Sequence, residues 1–209
     1  MTGRVVSVNV GVPHTAEWRG RTVTSAIWKQ PVDGPIEVAG VNLAGDDQAD
    51  RRVHGGIDKA VYAYATEDYD WWAERLGPLE PGTFGENLTT TGIALTDAHI
   101  GDRWRVGSAL LEVAQPRQPC FKLGIRMGDD AFPGAFEAAR RPGVYLRIVA
   151  PGSIGTGDAI EVVPAAQPAV PVAGLVEDEV DVEVLRLAAT DPRVPKGWRD
   201  AASRALARS

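Results

Sequence analysis

Short β-rich runs, each ended by glycine, proline or a polar turn, occupy most of the first 163 residues. Apolar and polar side chains alternate from Arg4 to Val10, as expected for a strand with one buried face. Gly107-Ser108 predicts the turn of a hairpin. The other predicted strands are 21–28, 36–43, 60–65, 102–107, 109–114, 144–150 and 159–163. The pattern predicts a mainly β fold of the α+β kind.

Helical sequence is confined to a few segments. Residues 66–76 begin with acidic side chains and place Trp72 on an apolar face, so we expect a helix with Trp72 in the core. The proline-rich segment 164–171 has the composition of a linker. Short helical turns are predicted at 120–127, 133–140 and 172–176, and helices at 182–189 and 197–208. We therefore expect a main domain over 1–163, and a linker and small helical tail over 164–209 that packs on that domain or on a partner subunit.

Bulk composition limits the kind of protein and the partners. With 209 residues, 44 % of them hydrophobic, the chain can bury a core without disulfides or a structural metal. We expect no membrane association, because there is no apolar run of spanning length and no signal-peptide core at the N-terminus. One cysteine then predicts a cytoplasmic protein. A net charge of −6 disfavours nonspecific binding to nucleic acid.

Cys120 is the only cysteine, and it follows two prolines that fix the backbone. Arg117 and Lys122 favour its thiolate form if they lie nearby in space. Such a thiol is either a nucleophile, a metal ligand or an inert buried side chain, which is the commonest case for free cysteine. No histidine stands at zinc-finger spacing, so a structural zinc site is not expected. A Cys–His pair using His54 or His99 stays open.

Two glycine-containing loops are further candidates for binding. Residues 45–60 form a loop without apolar periodicity, whose glycines and cations could hold an oxyanion. The loop matches neither the phosphate-loop nor the dinucleotide pattern. Its candidate binding residues are Arg51, His54, Gly55, Gly56 and Lys59. In the second loop, 81–89, Glu86 and Asn87 could hold a polar ring or could equally satisfy backbone groups.

Together these segments resemble the MOSC domain, the family named after the C-terminal domain of molybdenum-cofactor sulfurase. The resemblance lies in the order and spacing of four segments and extends over about residues 1–163. The segments are 45–61, 85–88, 100–102 and 115–123. The end of the chain, through Trp198-Arg199, resembles the three-helix tail of the family's stand-alone bacterial branch.

The resemblance implies a strongly curved sheet or β-barrel with short peripheral helices, plus a small helical tail. It also implies binding of the molybdenum cofactor, a molybdopterin that carries molybdenum, with Cys120 as the metal ligand. The residues expected around the cofactor are Arg51, His54, Gly55, Gly56, Lys59, Glu86, Asn87, Arg117 and Lys122. A soft anionic sulfur among cations is the donor set that suits such a group.

The activity implied is reduction of small N-hydroxylated bases such as 6-hydroxylaminopurine. One cysteine cannot hold an iron–sulfur cluster, so the electron donor is expected to be a separate protein or small reductant. Two alternatives stay open: a sulfur-carrier or cofactor-delivery module that uses a Cys120 persulfide, and a binding domain in which Cys120 is merely packed. The tail could also mediate a homodimer.

Overall fold

The structure is a computed structural model that describes residues 2–47 and 55–208. Within these residues, the strands are β1 (Thr2–Val10), β2 (His14–Trp18), β3 (Arg21–Ser25), β4 (Gln30–Pro31), β5 (Ile36–Ala39), β6 (Asn42–Leu43), β7 (Val61–Ala65), β8 (Leu88–Thr91), β9 (Arg103–Val106), β10 (Ala109–Pro116), β11 (Val144–Ala150), β12 (Gly152–Ile154) and β13 (Ala159–Val163). The α-helices are α1 (Thr66–Leu76), α2 (Phe121–Met127), α3 (Phe132–Ala138), α4 (Val182–Thr190) and α5 (Lys196–Leu206). Short 3-10 helices cover Ile57–Lys59, Leu95–Asp97 and Ala173–Val176.

Seven of these strands form a closed barrel in the order β13-β9-β10-β11-β7-β8-β1. The barrel closes because β1 pairs with β13, with Thr2 opposite Glu161. The pair β7–β8 is parallel, and the other pairs around the barrel are antiparallel. Shifts of register within β1 and β10 bend the sheet. The prediction of a mainly β fold with a curved sheet or barrel is confirmed.

Alternating side chains explain why the strands close around a core. In β9, Trp104 and Val106 are buried whereas Arg103 and Arg105 face solvent. A second, aromatic cluster packs between α1 and α3 and includes Trp72, whose Nε1 donates to the Tyr64 hydroxyl at 2.9 Å. The prediction that Trp72 belongs to the core is confirmed. Further members of this cluster are Tyr69, Phe84, Phe132 and Phe136.

Two strand predictions need correction. The predicted strand 21–28 ends at Ser25, and its hairpin partner β2 was missed because residues 14–18 are polar and largely exposed on both faces. The predicted run 36–43 is a short hairpin, β5 and β6, rather than one strand. Both hairpins belong to small sheets outside the barrel, where the pattern of burial is weaker.

The tail packs against the barrel. Val172, Leu175, Val194 and Ala202 belong to the same buried cluster as the barrel interior. The connecting segment 164–171 is held by the barrel, where the Ile100 N–H donates to the Val170 carbonyl at 2.9 Å. Helices α4 and α5 lie where the sequence predicts them. The division into two domains at residue 163 stays a prediction. In residues 2–47 and 55–208, every helix is too short or too polar to traverse a bilayer.

Candidate functional site

Cys120 lines an open pocket of about 680 Å³, a volume that includes space continuous with solvent. We call it the cysteine pocket. Its described lining residues are Ser25, Ala26, Ile27, Lys29, Asp46, Asp47, Lys59, Tyr62, Gly85, Asn87, Arg117, Gln118, Cys120, Lys122 and Tyr145. Cys120 itself is partly exposed. The thiol is therefore accessible to a ligand, and the residues around it come from distant parts of the sequence.

The chain leaves the barrel at the end of β10 and places Cys120 directly before α2. Cys120 has extended backbone angles, and its carbonyl accepts the Leu123 N–H at 2.9 Å. Arg117, three residues earlier, is buried and donates to the Phe84 carbonyl. Its guanidinium carbon lies 4.8 Å from the centre of the Tyr62 ring. These contacts fix one cation beside the thiol.

Two lysines add positive charge from different elements. Lys59 ends the 3-10 helix Ile57–Lys59, and Lys122 lies in the first turn of α2. Burial lowers the pKa of Lys59, and the charge of the Cys120 thiolate opposes this effect. Gly56 precedes the 3-10 helix with a φ of 101°, which a glycine adopts without strain. The pocket therefore attracts anions to the cysteine.

Lys29 and Asp46 form a buried ion pair in the cysteine pocket that the sequence reasoning missed. Burial lowers the pKa of Lys29, and the bond to Asp46 opposes this shift. Asp46 Oδ1 also accepts the Gly11 N–H at 2.7 Å, and its Oδ2 accepts Asn87 Nδ2 at 2.9 Å. Asn87 Oδ1 in turn accepts the Tyr62 N–H at 3.1 Å. Asn87 thus fixes the Asp46 carboxylate, which in turn pairs with Lys29.

Glu86 is completely buried behind the pocket and is not among its lining residues. Its Oε1 accepts the Tyr69 hydroxyl at 2.6 Å, the Gly82 N–H at 2.6 Å and the Thr89 hydroxyl at 2.8 Å. Its Oε2 has no hydrogen-bond partner among the described residues. Burial raises the pKa of Glu86, and the three hydrogen bonds oppose that shift. The carboxyl braces the 82–89 loop that supplies Gly85 and Asn87 to the pocket.

The structure brings together five of the residues predicted to bind the cofactor or metal. Lys59, Asn87, Arg117, Cys120 and Lys122 all line the cysteine pocket. Gly55 and Gly56 lead into the 3-10 helix that carries Lys59, and Glu86 supports the pocket from behind. Arg51 and His54 lie outside the described residues. Their roles, like those of the other predicted site residues, stay predictions.

The remaining histidine considered as a partner for Cys120 lies elsewhere. The backbone of His99 pairs with Pro171 in an isolated bridge, and its N–H donates to Asp102 Oδ2 at 2.8 Å. His99 does not line the cysteine pocket.

Lys29 could not be identified as a site residue from its neighbours in sequence, because its partner Asp46 lies 17 residues further along. The donor set around Cys120 is one sulfur with several ammonium and guanidinium groups. Within residues 2–47 and 55–208, no group of three or more histidine, cysteine, aspartate and glutamate side chains is arranged to hold a metal ion. A single thiol with surrounding cations is chemically able to bind an anionic ligand and to donate one soft sulfur to it.

Comparison with known proteins adds the evolutionary context. The Bacillus subtilis (strain 168) protein YflK is 38 % identical over 158 residues, which cover 75 % of this chain and 72 % of that protein. A Gibberella moniliformis protein named "Reductase" is 38 % identical over 159 residues, covering 71 % of this chain but only 27 % of that protein. The crystal structure of YiiM from Geobacillus stearothermophilus matches with a TM-score of 0.78 and 31 % identity, over 98 % of this chain and 99 % of that one.

The family match covers the part of the chain that carries Cys120 and most of the residues lining the pocket. The MOSC domain matches residues 50–161, which extend into the last barrel strand. This stretch includes Cys120 and every other sequence-predicted site residue. The chain belongs to the MOSC domain family.

Proposed function

We propose that the chain binds the molybdenum cofactor in the cysteine pocket through the Cys120 thiolate and reduces N-hydroxylated bases. The observation that carries the proposal is the position of the partly exposed Cys120 in a pocket with Lys29, Lys59, Arg117 and Lys122. The proposal further includes a separate protein or small molecule as the electron donor.

The donor set fits this cofactor. A molybdopterin has two sulfur ligands of its own, so the protein would need to add only one soft ligand, and Cys120 would be that ligand. Lys59, Arg117 and Lys122 would hold the phosphate and other anionic groups through charge-assisted hydrogen bonds. Asn87 already uses its amide on Asp46 and on the Tyr62 N–H, so it shapes the pocket wall.

The reduction of an N–OH group consumes two electrons and two protons and releases an amine and water. The cofactor, when bound, would supply the two-electron chemistry. The residues of the chain would bind the anionic groups and supply protons. Lys29 is a suitable proton donor because burial lowers its pKa and Asp46 fixes its position. Arg117 is permanently charged and therefore binds rather than transfers protons.

A relative supports the redox direction of the proposal. The Gibberella moniliformis relative carries the name "Reductase", although this chain spans about a quarter of it.

The test is the molybdenum and pterin content of protein purified from a host that makes the cofactor. The wild-type chain should retain both, and Cys120→Ser should lose the metal because a hydroxyl is a poor soft ligand. Since serine is nearly isosteric and position 120 is partly exposed, the melting temperature should change little. Absence of molybdenum, together with protection of cells from 6-hydroxylaminopurine by Cys120→Ala, would contradict the proposal.

A second candidate function is a sulfur-carrier or cofactor-delivery module. The accessible thiol and the cations near it would also stabilise a Cys120 persulfide anion. Mass spectrometry of the intact protein would detect the persulfide. Its presence, with no turnover of N-hydroxylated base when a chemical reductant is supplied, would favour this candidate over the reductase.

A further inference from the structure

The helical tail is connected by hydrogen bonds to the strand that leads to Cys120. Trp198 in α5 donates its Nε1–H to Gln115 Oε1 at 2.9 Å. Gln115 is only 6 % exposed and lies near the end of β10, five residues before the cysteine. Its Nε2 donates to the Asp58 carbonyl at 3.0 Å. A single buried amide thus links the tail to the 3-10 helix that carries Lys59.

A second connection reaches the same 3-10 helix through its side chain. Arg147 in β11 pairs with Asp58 Oδ1 at 2.5 Å and with Glu112 Oε1 at 3.1 Å. The same guanidinium donates to the carbonyl of Arg193, in the tail, at 2.7 Å. Asp58 is therefore held at both its backbone and its carboxylate by groups that also contact the tail.

The 3-10 helix has little internal support of its own. It spans three residues, has no side-chain N-cap and contains a turn bond from the Lys59 N–H to the Gly56 carbonyl at 3.1 Å. Short 3-10 segments have poor hydrogen-bond geometry, so external anchors decide their position. Lys59 follows Asp58 directly and faces the cysteine pocket.

We infer that the helical tail sets the charge at Cys120, with Trp198 and Gln115 as positioning residues that place the Lys59 ammonium. The inference rests on the proposed function only in taking Cys120 as the reactive group. It assigns the tail a role in the site, although no tail residue lines the described part of the cysteine pocket.

Because Cys120 is the only cysteine, its alkylation rate reports the pocket directly. Full-length protein from a host that cannot make molybdopterin would be treated with iodoacetate, an anion, and with neutral iodoacetamide. The rate with iodoacetate divided by the rate with iodoacetamide measures the local electrostatic potential. A change in accessibility alone affects both rates and leaves this ratio unchanged. It requires neither metal nor turnover, so its outcome is independent of whether the reductase proposal holds.

Three variants and a control make the test specific. Lys59→Met removes the ammonium and should lower the ratio about threefold, the effect of one partly screened charge at this range. Trp198→Phe loses the indole donor. Gln115→Met has a similar length and adds no charge, and it loses both the acceptor for Trp198 and the donor to Asp58. Both should lower the ratio towards the Lys59→Met value, whereas Lys196→Met, exposed on the same helix, should match wild type.

Each result decides the inference. An unchanged ratio in folded Trp198→Phe and Gln115→Met, with a lower ratio in Lys59→Met, would show that the tail does not place Lys59. An unchanged ratio in Lys59→Met would show that this lysine does not set the charge at Cys120. Thermal unfolding establishes which variants are folded at the assay temperature, and Gln115→Met decides the matter if Trp198→Phe is not folded.

Discussion

At the scale of single residues, the ion pair of Lys29 and Asp46 places two charged side chains in the interior beside the pocket. The two side chains are only 8 % and 2 % exposed. Each charge has lost most of its hydration and depends on the other, and Asp46 depends further on Gly11 and Asn87. Such a pair fixes the position of the lysine, but removing one partner leaves the other charge buried alone.

Lys29→Met should therefore destabilise the fold by about 3–5 kcal/mol, the usual cost of breaking a buried pair from one side. Urea unfolding would measure the loss. Lys196→Met is the matched control, because Lys196 pairs with Asp200 at the surface, where the side chains are 77 % and 44 % exposed. The control should change stability little. Equal effects of the two substitutions would refute the buried-pair interpretation.

Glu86 predicts a dependence of stability on pH. Since burial raises its pKa in the folded state, folding favours the protonated carboxyl. Its contribution to stability is thus present at acid pH and is lost as the pH rises through the raised pKa. The unfolding free energy of the wild type minus that of Glu86→Gln should fall as the pH rises. Urea unfolding over a pH series would measure this slope.

Glu67 provides a control of opposite sign. Burial would raise its pKa, but hydrogen bonds from Gly92 and Thr91 outweigh burial and lower it. The unfolding free energy of the wild type minus that of Glu67→Gln should be positive at neutral pH. This difference should disappear as the pH falls through the lowered pKa of Glu67. Slopes of the same sign for the two glutamates would contradict the assignment.

The site residues that could be predicted from the sequence are those that stand close together in one short segment. Cys120, Arg117 and Lys122 stand within six positions of one another, so their proximity needs little tertiary information. Lys29 and its partner Asp46 meet only because two loops fold over the pocket. No local pattern marks a lysine that will be buried, since lysines are normally exposed.

At the scale of elements, close backbone contacts fix where strands meet. Gly143 precedes β11 with a φ of 63°, and an added Cβ would lie 2.5 Å from the Ala63 carbonyl oxygen in β7. Gly40, between β5 and β6, has a φ of 64° and open space around the same position. The two glycines have nearly the same positive φ and differ in the crowding around an added Cβ.

Gly143→Ala should therefore cost more stability than Gly40→Ala. In both variants, an alanine with a positive φ should lower the free energy of unfolding by about 1–2 kcal/mol. Gly143→Ala should lower it by about 1–3 kcal/mol more, because the β7–β11 contact must shift. Chemical unfolding of the two variants measures the difference. Equal losses would mean that the barrel absorbs the extra methyl group without strain.

The elements that the sequence predicted well are those with a buried face. Alternating burial in β9 and β10 and the apolar face of α1 were visible as periodic patterns. The hairpin β2–β3 was half missed because it exposes most of its side chains, and Trp18 is held through a contact with Asp130 that is distant in sequence. Tertiary contacts rather than propensity stabilise it.

At the scale of the whole molecule, barrel and tail share one buried cluster. We therefore expect them to unfold together. Val194→Ala, at a fully buried tail position, should destabilise the molecule by about 1–3 kcal/mol and shift a single transition. Far-ultraviolet circular dichroism and hydrogen exchange of the β7 amides should report the same loss. Unfolding of the tail alone, with β7 protection unchanged, would instead support two independent domains.

The pairing of β1 with β13 has a consequence for biosynthesis. Thr2 pairs with Glu161, so the first strand of the barrel cannot complete its pairing until the last one has been made. During translation one edge of β1 therefore stays open to pairing with other chains. Ring closure must come late, and its long sequence separation makes it slow. Chaperone capture of nascent chains should consequently be greatest just before residue 161 leaves the exit tunnel.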